Sequence, residues 1–393
     1  MTLAVVLLHG LLTAAAPHSV ELLVGWTSLA SRESSPDQQQ SPAALDRLAT
    51  MLAAMAEAAI AVEGGYGSVL KAPVPRPPRR ASAEAAAAAA AHAALRALRP
   101  RDSEGLAEAL RRSLATIADV QARDAGAAVG RLAAGAVLRL RAKSGLDLPD
   151  RWKQVPPGPG IFLAEGMPIG TRVAEGRPWF LQSLAQVRPG PPPSLDAPLW
   201  SRDLAEVRAK GAKSSPSRSA AETEAALFWR DVGPSAWIGA IARMSAGPGR
   251  SMARNARLWA LAATVADDTQ IAFYDAKYTF RFWRPATAIQ QADPAWQPLL
   301  RTPAHPEYPC AHCATSAALA TVLASEFGTA PPGLSLASPE GARTFPSLDA
   351  LVDEVVSARV NAGVHYRFSG LAGVALGRAV ARQALAVAWP PLH

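Results

Sequence analysis

The sequence predicts an all-α protein: a single helical-bundle domain of about ten helices, interrupted by a proline-rich excursion. Three observations lead there. Apolar residues recur at helical spacing through most of the chain, with no strand-like alternation between the N-terminal segments. Caps, prolines and glycines sit where those periodic segments begin and end. The 393 residues are 49% hydrophobic, enough for one large core or two smaller ones, and no fixed period marks a repeat protein.

The elements run in order along the chain. Residues 1–17 carry an apolar run, Leu3 to Ala16, followed by small residues but not preceded by a basic stretch. They read either as a signal peptide, which would export the chain to the periplasm or beyond, or as an apolar first helix of a cytoplasmic protein. Ser41 is placed to cap a helix with Pro42 at its first position, and Leu45, Leu48, Leu52, Met55 and Ala59 form an amphipathic stripe. "APVPRPPRR" breaks the pattern before Ser82 opens an alanine run through Leu98. From Ser103 the period continues through Leu106, Leu110, Leu114 and Ile117, and a further helix reaches Leu140 and ends before Gly145. Residues 146–200 hold too many prolines for long helices, yet Trp152, Phe162, Trp179 and Phe180 predict an ordered excursion that buries them. Helical pattern resumes in "AAETEAALFWRDVG" and in a long segment from Ser251 that Pro285 terminates. It returns over 310–327, 347–362 and 370–388.

Composition narrows the function. Lys plus Arg number 40 against 32 Asp plus Glu, a net charge of +8. The basic residues are scattered without interleaved aromatics, so nucleic acid is not an expected partner. No window reaches about 18 uninterrupted apolar residues, and no transmembrane span is expected. The two cysteines, Cys310 and Cys313, lack the second pair a structural zinc needs and the βαβ context of a thioredoxin-like pair.

Three patches in the last third share one chemical theme. In "KYTFRFWRP", Lys277 and Arg284 stand seven apart, two turns along one face if helical. In "PCAHC", Pro309 marks a helix start that leaves the N–H groups of Cys310 and Ala311 to face an anion, with His312 one residue inside. In "ARVNAGVHYR", Gly363 turns the chain so that Arg359 and His365 converge from two directions. Each patch alone is a weak signal. Together they supply three cations, helix-end amides and two histidines, equipment for a tetrahedral or trigonal-bipyramidal oxyanion.

The order Lys, six residues, Arg-Pro, then Pro-x-x-His, then Arg, five residues, His resembles the signature shared by vanadium-dependent haloperoxidases and type 2 phosphatidic acid phosphatases. "GAKSSPSRSAAETEAALFW" and "HPEYPCAH" resemble the soluble bacterial-type haloperoxidase branch, and the likeness runs from about residue 20 to the C-terminus, so 18–393 is expected to be one such helical domain. The resemblance implies that Lys277, Arg284, Arg359 and the Ala311 amide hold the oxygens of vanadate, for which phosphate competes. It implies His365 as the vanadium ligand and His312 as the acid–base residue. His305 lies seven residues before His312, where the family varies with halide choice; it is either a halide-site residue or the start of a turn.

The implied activity is oxidation of bromide or iodide by hydrogen peroxide to hypohalous acid, which attacks a small organic acceptor; an oligomer stays open. The alternatives are an acid phosphatase working through a phosphohistidine at His365, and a non-catalytic oxyanion-binding member. Three departures bear on these. Cys310 and Ala311 replace a common Ser-Gly, Ala358 replaces a Ser, and Ser369 stands where many members have an Asp that would raise the basicity of His365.

Overall fold

The computed structural model describes residues 18–31, 42–77, 80–142, 144–145 and 149–392. The signal-peptide reading of residues 1–17 and the Ser41 cap lie outside them. Among the described residues the fold is all-α, with one small antiparallel hairpin. No helix among them is long and apolar enough to cross a membrane. The residues group into two compact units.

The first unit comprises Met1–Ser144, Ile238–Asp267 and Gln383–His393. Its helices are α1 (His18–Ala30), α2 (Pro42–Glu63), α3 (Ala83–Leu98), α4 (Ser103–Ala115) and α5 (Val120–Arg141). Alanine fills α3 from Ala85 to Ala91, and the short side chains let α3 pack against both α2 and α5. Ser82 caps α3 by accepting from the Ala85 amide at 3.1 Å, as expected of a serine before a helical run. The predicted one-sided stripe of α2 is corrected: burial runs almost all round from Leu48 to Ala61, Thr50 and Glu57 included. A periodic stripe sees only one partner, whereas α2 sits against both α3 and α5. Arg141, at the end of α5, is buried against Asp46 at 2.5 Å and Asp267 at 3.5 Å.

The second unit comprises Gly145–Trp237 and Asp268–Arg382. Between residues 149 and 197 it contains no α-helix, only short 3-10 turns at Val173–Glu175 and Leu184–Gln186. The excursion is nonetheless tied down. The Asp268 carboxylate accepts from the amides of Trp179 and Phe180 at 2.6 and 2.9 Å, and Arg188 forks onto Asp275. Then come α6 (Pro198–Lys210), α7 (Ala220–Arg230), α8 (Pro234–Ser245), α9 (Met252–Phe280), α10 (Pro285–Gln290) and α11 (Ala311–Phe327). The hairpin β1 (Ser335–Ser338) and β2 (Gly341–Thr344) comes next, in register Ser338↔Gly341; the helical pattern of the sequence did not include it. α12 (Leu348–Asn361) and α13 (Arg367–Val387) complete the chain. Helices α8, α9 and α13 contribute residues to both units.

Glycines set two local geometries in the second unit. Gly363, at φ +77°, turns the chain after α12, in the left-handed conformation glycine adopts without strain. On α13, a Cβ at Gly373 or Gly377 would collide with the carbonyls of Cys310 and Ala314. Glycine at these two positions, one turn apart, lets α13 press directly on the first turn of α11.

Candidate functional site

Lys277 lies in the last turn of α9 and is wholly buried. Its Nζ donates to the carbonyls of Pro306 and Glu307 at 2.9 and 2.8 Å. The helix stops at Phe280, earlier than Pro285, because Arg281 takes a positive φ of 47°. Residues beyond it run extended against the proline-rich excursion: Phe162 N–H donates to Arg281 O at 2.8 Å, and Trp283 N–H to Gly160 O at 3.0 Å. Arg284 therefore has extended backbone, φ −79° and ψ 153°, the conformation a following proline imposes. The expectation that Lys277 and Arg284 share one helix face is corrected. They converge because the chain reverses into an extended strap between them.

Arg284, 1% exposed, organises the site. Its Nε donates to His305 O at 3.0 Å and its Nη1 to Val364 O at 2.9 Å. Nη1 also lies 3.3 Å from His365 Nε2, and Nη2 lies 3.0 Å from His305 Nδ1. A guanidinium only donates, so both imidazole nitrogens accept in this arrangement. The 3.1 Å approach of His305 Nδ1 to Pro306 O belongs to the other tautomer.

Sequence reasoning missed the partner of His365. Glu307, fully buried, takes His365 Nδ1 at 2.7 Å and the Tyr366 amide at 3.1 Å on one carboxylate oxygen. Nδ1 thus carries the proton and Nε2 presents its lone pair to the cations. The carboxylate missing at Ser369 is supplied by the segment that carries His305. Its one visible signal was an acidic residue between prolines in "HPEYP", 58 residues from His365 in sequence.

A second correction concerns Cys310. Its amide is not free for an anion, since it donates to Ser369 O at 3.1 Å. Cys310 caps α11 instead, its sulfur accepting from Cys313 N–H at 3.3 Å. Ala311 opens the helix, where first-turn amides have no intrahelical acceptor. His312 is next, partly exposed, with its ring beside the Arg230 backbone. Arg359, in the last turn of α12, is 4% exposed, and its Nε and Nη1 are buried without a hydrogen-bond partner.

Desolvation dominates the electrostatics, and the cations reinforce it. Burial and then Arg284 push the Lys277 ammonium well below its usual range. Burial takes Arg284 down to about 10 and lowers Arg359. His305, His312 and His365 are all held well below the ordinary histidine value, first by burial and then by the surrounding cations. Burial raises Glu307 to about 8 against the pull of Arg284 and Lys277. Among the described residues, three buried cations face one carboxylate, and that carboxylate is engaged by His365. An oxyanion fits this set: it would supply the missing charge and acceptors for the orphaned Arg359 donors.

Other residues singled out in the sequence stand apart from this cluster. Arg367 forks onto Glu206, and Arg281 lies over the Trp152 ring at 5.3 Å. Tyr274 meets the His305 ring edge-on at 5.8 Å, whereas Phe282 packs against Tyr366 and Phe368. Among the described residues no group of three or more His, Cys, Asp or Glu is placed to hold a metal ion by side chains alone.

Comparison with known proteins adds to this geometry. Residues 257–390 match a family model described as the VCPO second helical-bundle domain. A solved structure described as the first bacterial vanadium-dependent iodoperoxidase superposes with a TM-score of 0.80 at 25% identity, covering 95% of this chain and 97% of that one. A holo-type bacterial vanadium-dependent chloroperoxidase superposes with a TM-score of 0.68 at 14% identity, over 92% and 95%. Its apo-type counterpart gives 0.66 at 13%, over 87% and 93%. The chloroperoxidases share the fold alone at that identity. No curated protein sequence matches the chain. Family match and architecture agree: the chain has the fold of the vanadium haloperoxidase superfamily.

Proposed function

We propose that the protein is a vanadate-dependent haloperoxidase that oxidises bromide or iodide with hydrogen peroxide to hypohalous acid, which then halogenates a small organic acceptor. One observation carries the reading: Lys277, Arg284 and Arg359 are buried together with a single carboxylate, and two Arg359 donors lack acceptors. Arg359, Lys277, Arg284 and the Ala311 amide would hold the oxygens of vanadate. Two of the three Lys277 donors are spent on backbone carbonyls, which leaves one for the anion. When bound there, vanadate would supply a Lewis-acidic centre.

The remaining chemistry belongs to the chain. His365 would hold the vanadium through Nε2, and Glu307 fixes that tautomer and raises the basicity of the ring. His312, whose basicity burial and the neighbouring cations lower, would take the proton of incoming peroxide. Lys277 polarises the bound oxygens. His305, partly exposed and held by Arg284, would face the halide. The similarity to an iodoperoxidase structure over nearly the whole chain makes iodide the first halide to assay.

The second reading, a phosphatase, draws on the same His365. A lone pair on Nε2, fixed by a carboxylate at Nδ1, equally suits attack on phosphorus, with His312 protonating the leaving group. Metal-free protein assayed for halogenation with peroxide and halide, with and without orthovanadate, beside aryl phosphate hydrolysis, separates the readings. Vanadate-dependent halogenation suppressed by phosphate supports the peroxidase. Hydrolysis inhibited by vanadate supports the phosphatase, and anion binding without either reaction marks a non-catalytic member.

A further inference from the structure

Cys310 and Cys313 are the only cysteines of the chain, and both are fully buried. Cys310 caps α11 and Cys313 lies in its first turn. The Cys310 sulfur accepts the Cys313 amide at 3.3 Å, which holds the two side chains together at the start of the helix. A helix-capping cysteine with its partner three residues on is the arrangement in which a dithiol closes without moving the backbone far. The pair is also asymmetric. Burial raises both thiols and drives Cys313 well above its usual value, but at Cys310 hydrogen bonding from Cys313, Arg359 and Lys277 together outweigh it and bring that thiol down to about 7. Cys310 is the nucleophile of the two, and it shares Arg359 and Lys277 with the oxyanion site.

We infer that Cys310 and Cys313 form a peroxide-oxidisable dithiol in the wall of the oxyanion site, which closes to a disulfide when no anion occupies the site. The Cys310 thiolate attacks one oxygen of hydrogen peroxide; the O–O bond breaks, and the departing oxygen leaves as water after taking a proton. Cys310 becomes a sulfenic acid, oxidised by two electrons. The Cys313 sulfur then attacks the Cys310 sulfur, and the S–O bond breaks as hydroxide leaves with the Cys313 proton as a second water. Two thiols and one peroxide yield one disulfide and two waters. An oxyanion on Arg359 and Lys277 opposes the first step, because it neutralises the cations that favour the thiolate and occupies the space beside it.

The test uses the full chain, reduced, vanadate-free and without halide, exposed to limiting hydrogen peroxide with and without saturating phosphate. Thiols are then alkylated under denaturing conditions and mapped by mass spectrometry. Both thiols should disappear together, the intact mass should fall by two hydrogens, and dithiothreitol should restore both. Phosphate should slow the loss at least tenfold. In Cys313→Ser, Cys310 should be captured by dimedone as its sulfenic acid. Thiols that survive peroxide, oxidation that starts at Cys313, or a rate indifferent to phosphate would overturn the inference. The wild-type map decides the matter even if the variant fails to fold. Because no halide is turned over, a chain that closes the disulfide but never halogenates would retire the proposed function alone.

Discussion

Each of the two units buries a cluster of charge, and the clusters differ in how that charge is matched. In the first, Arg141 has carboxylates at 2.5 and 3.5 Å, from Asp46 and Asp267, and Ser144 donates to the second Asp46 oxygen at 2.9 Å. In the second, Lys277, Arg284 and Arg359 are as deeply buried but share only Glu307; backbone carbonyls take two donors each from Lys277 and Arg284, and two Arg359 nitrogens have no partner. A buried cation matched by carboxylates is balanced once the chain folds. Three cations with one engaged carboxylate are balanced only when an anion arrives. Burial alone therefore does not mark a site; the arithmetic of charge does.

Removing a partner from the balanced cluster should have the largest effect. Asp46→Ala leaves Arg141 short of its nearer carboxylate and is expected to cost about 3 kcal/mol in urea unfolding, with phosphate affinity unchanged. A loss below about 1 kcal/mol would erase the contrast between the clusters. Arg359→Ala should do the opposite. It is expected to lower oxyanion affinity about 100-fold, the scale of a lost charge-assisted pair of hydrogen bonds, while anion-free stability changes by less than about 1 kcal/mol. Calorimetric titration and unfolding of the same preparation read both quantities.

Glu307→Gln sharpens the comparison at its one carboxylate. The amide oxygen still accepts from His365 Nδ1 but carries no charge, so vanadate affinity should fall between about 10- and 100-fold. An unchanged dissociation constant would mean that Glu307 holds the loop and nothing more.

The smallest expected effect is on the pH dependence of stability. His305 faces Lys277, Arg284, Tyr274 and the Pro306 carbonyl; His312 faces Arg359, Lys277, Arg284 and the Arg230 backbone. Both are held well below the ordinary histidine value, so below about pH 6.5 the unfolded chain binds more protons than the folded one. Their contribution to stability is complete above about pH 6.5 and is lost as the pH falls toward the folded values. The thermal midpoint of anion-free protein should therefore drop between about pH 6.5 and 5, and saturating phosphate should flatten that slope by offsetting the cations. Parallel curves with and without phosphate would contradict this.

The sequence made legible what local rules govern. Ser82 caps a helix where residue type and position suggest, and Gly363 turns the chain where the spacing of Arg359 and His365 requires it. Non-local features were not legible. Burial of α2 on nearly every side depends on two neighbours that its own periodicity does not contain. The seven-residue step from Lys277 to Arg284 suggested a shared helix face, whereas Arg281 and Pro285 break the helix and the excursion at Gly160 holds the extended strap. Glu307 escaped notice because its partner His365 lies 58 residues away and because a single acidic residue has no pattern. The Cys310 amide was expected to be free because a helix start exposes its first donors, and only the packed fold shows Ser369 accepting from it.

Titration calorimetry with orthovanadate and phosphate tests the central claim most directly. On the proposed reading, the charge imbalance around Lys277, Arg284 and Arg359 predicts binding of one orthovanadate per chain, displaced by phosphate and lost with Arg359→Ala. Absence of a saturable site in the folded wild-type chain, or full affinity retained in Arg359→Ala, would contradict the assignment of these buried cations to an anion.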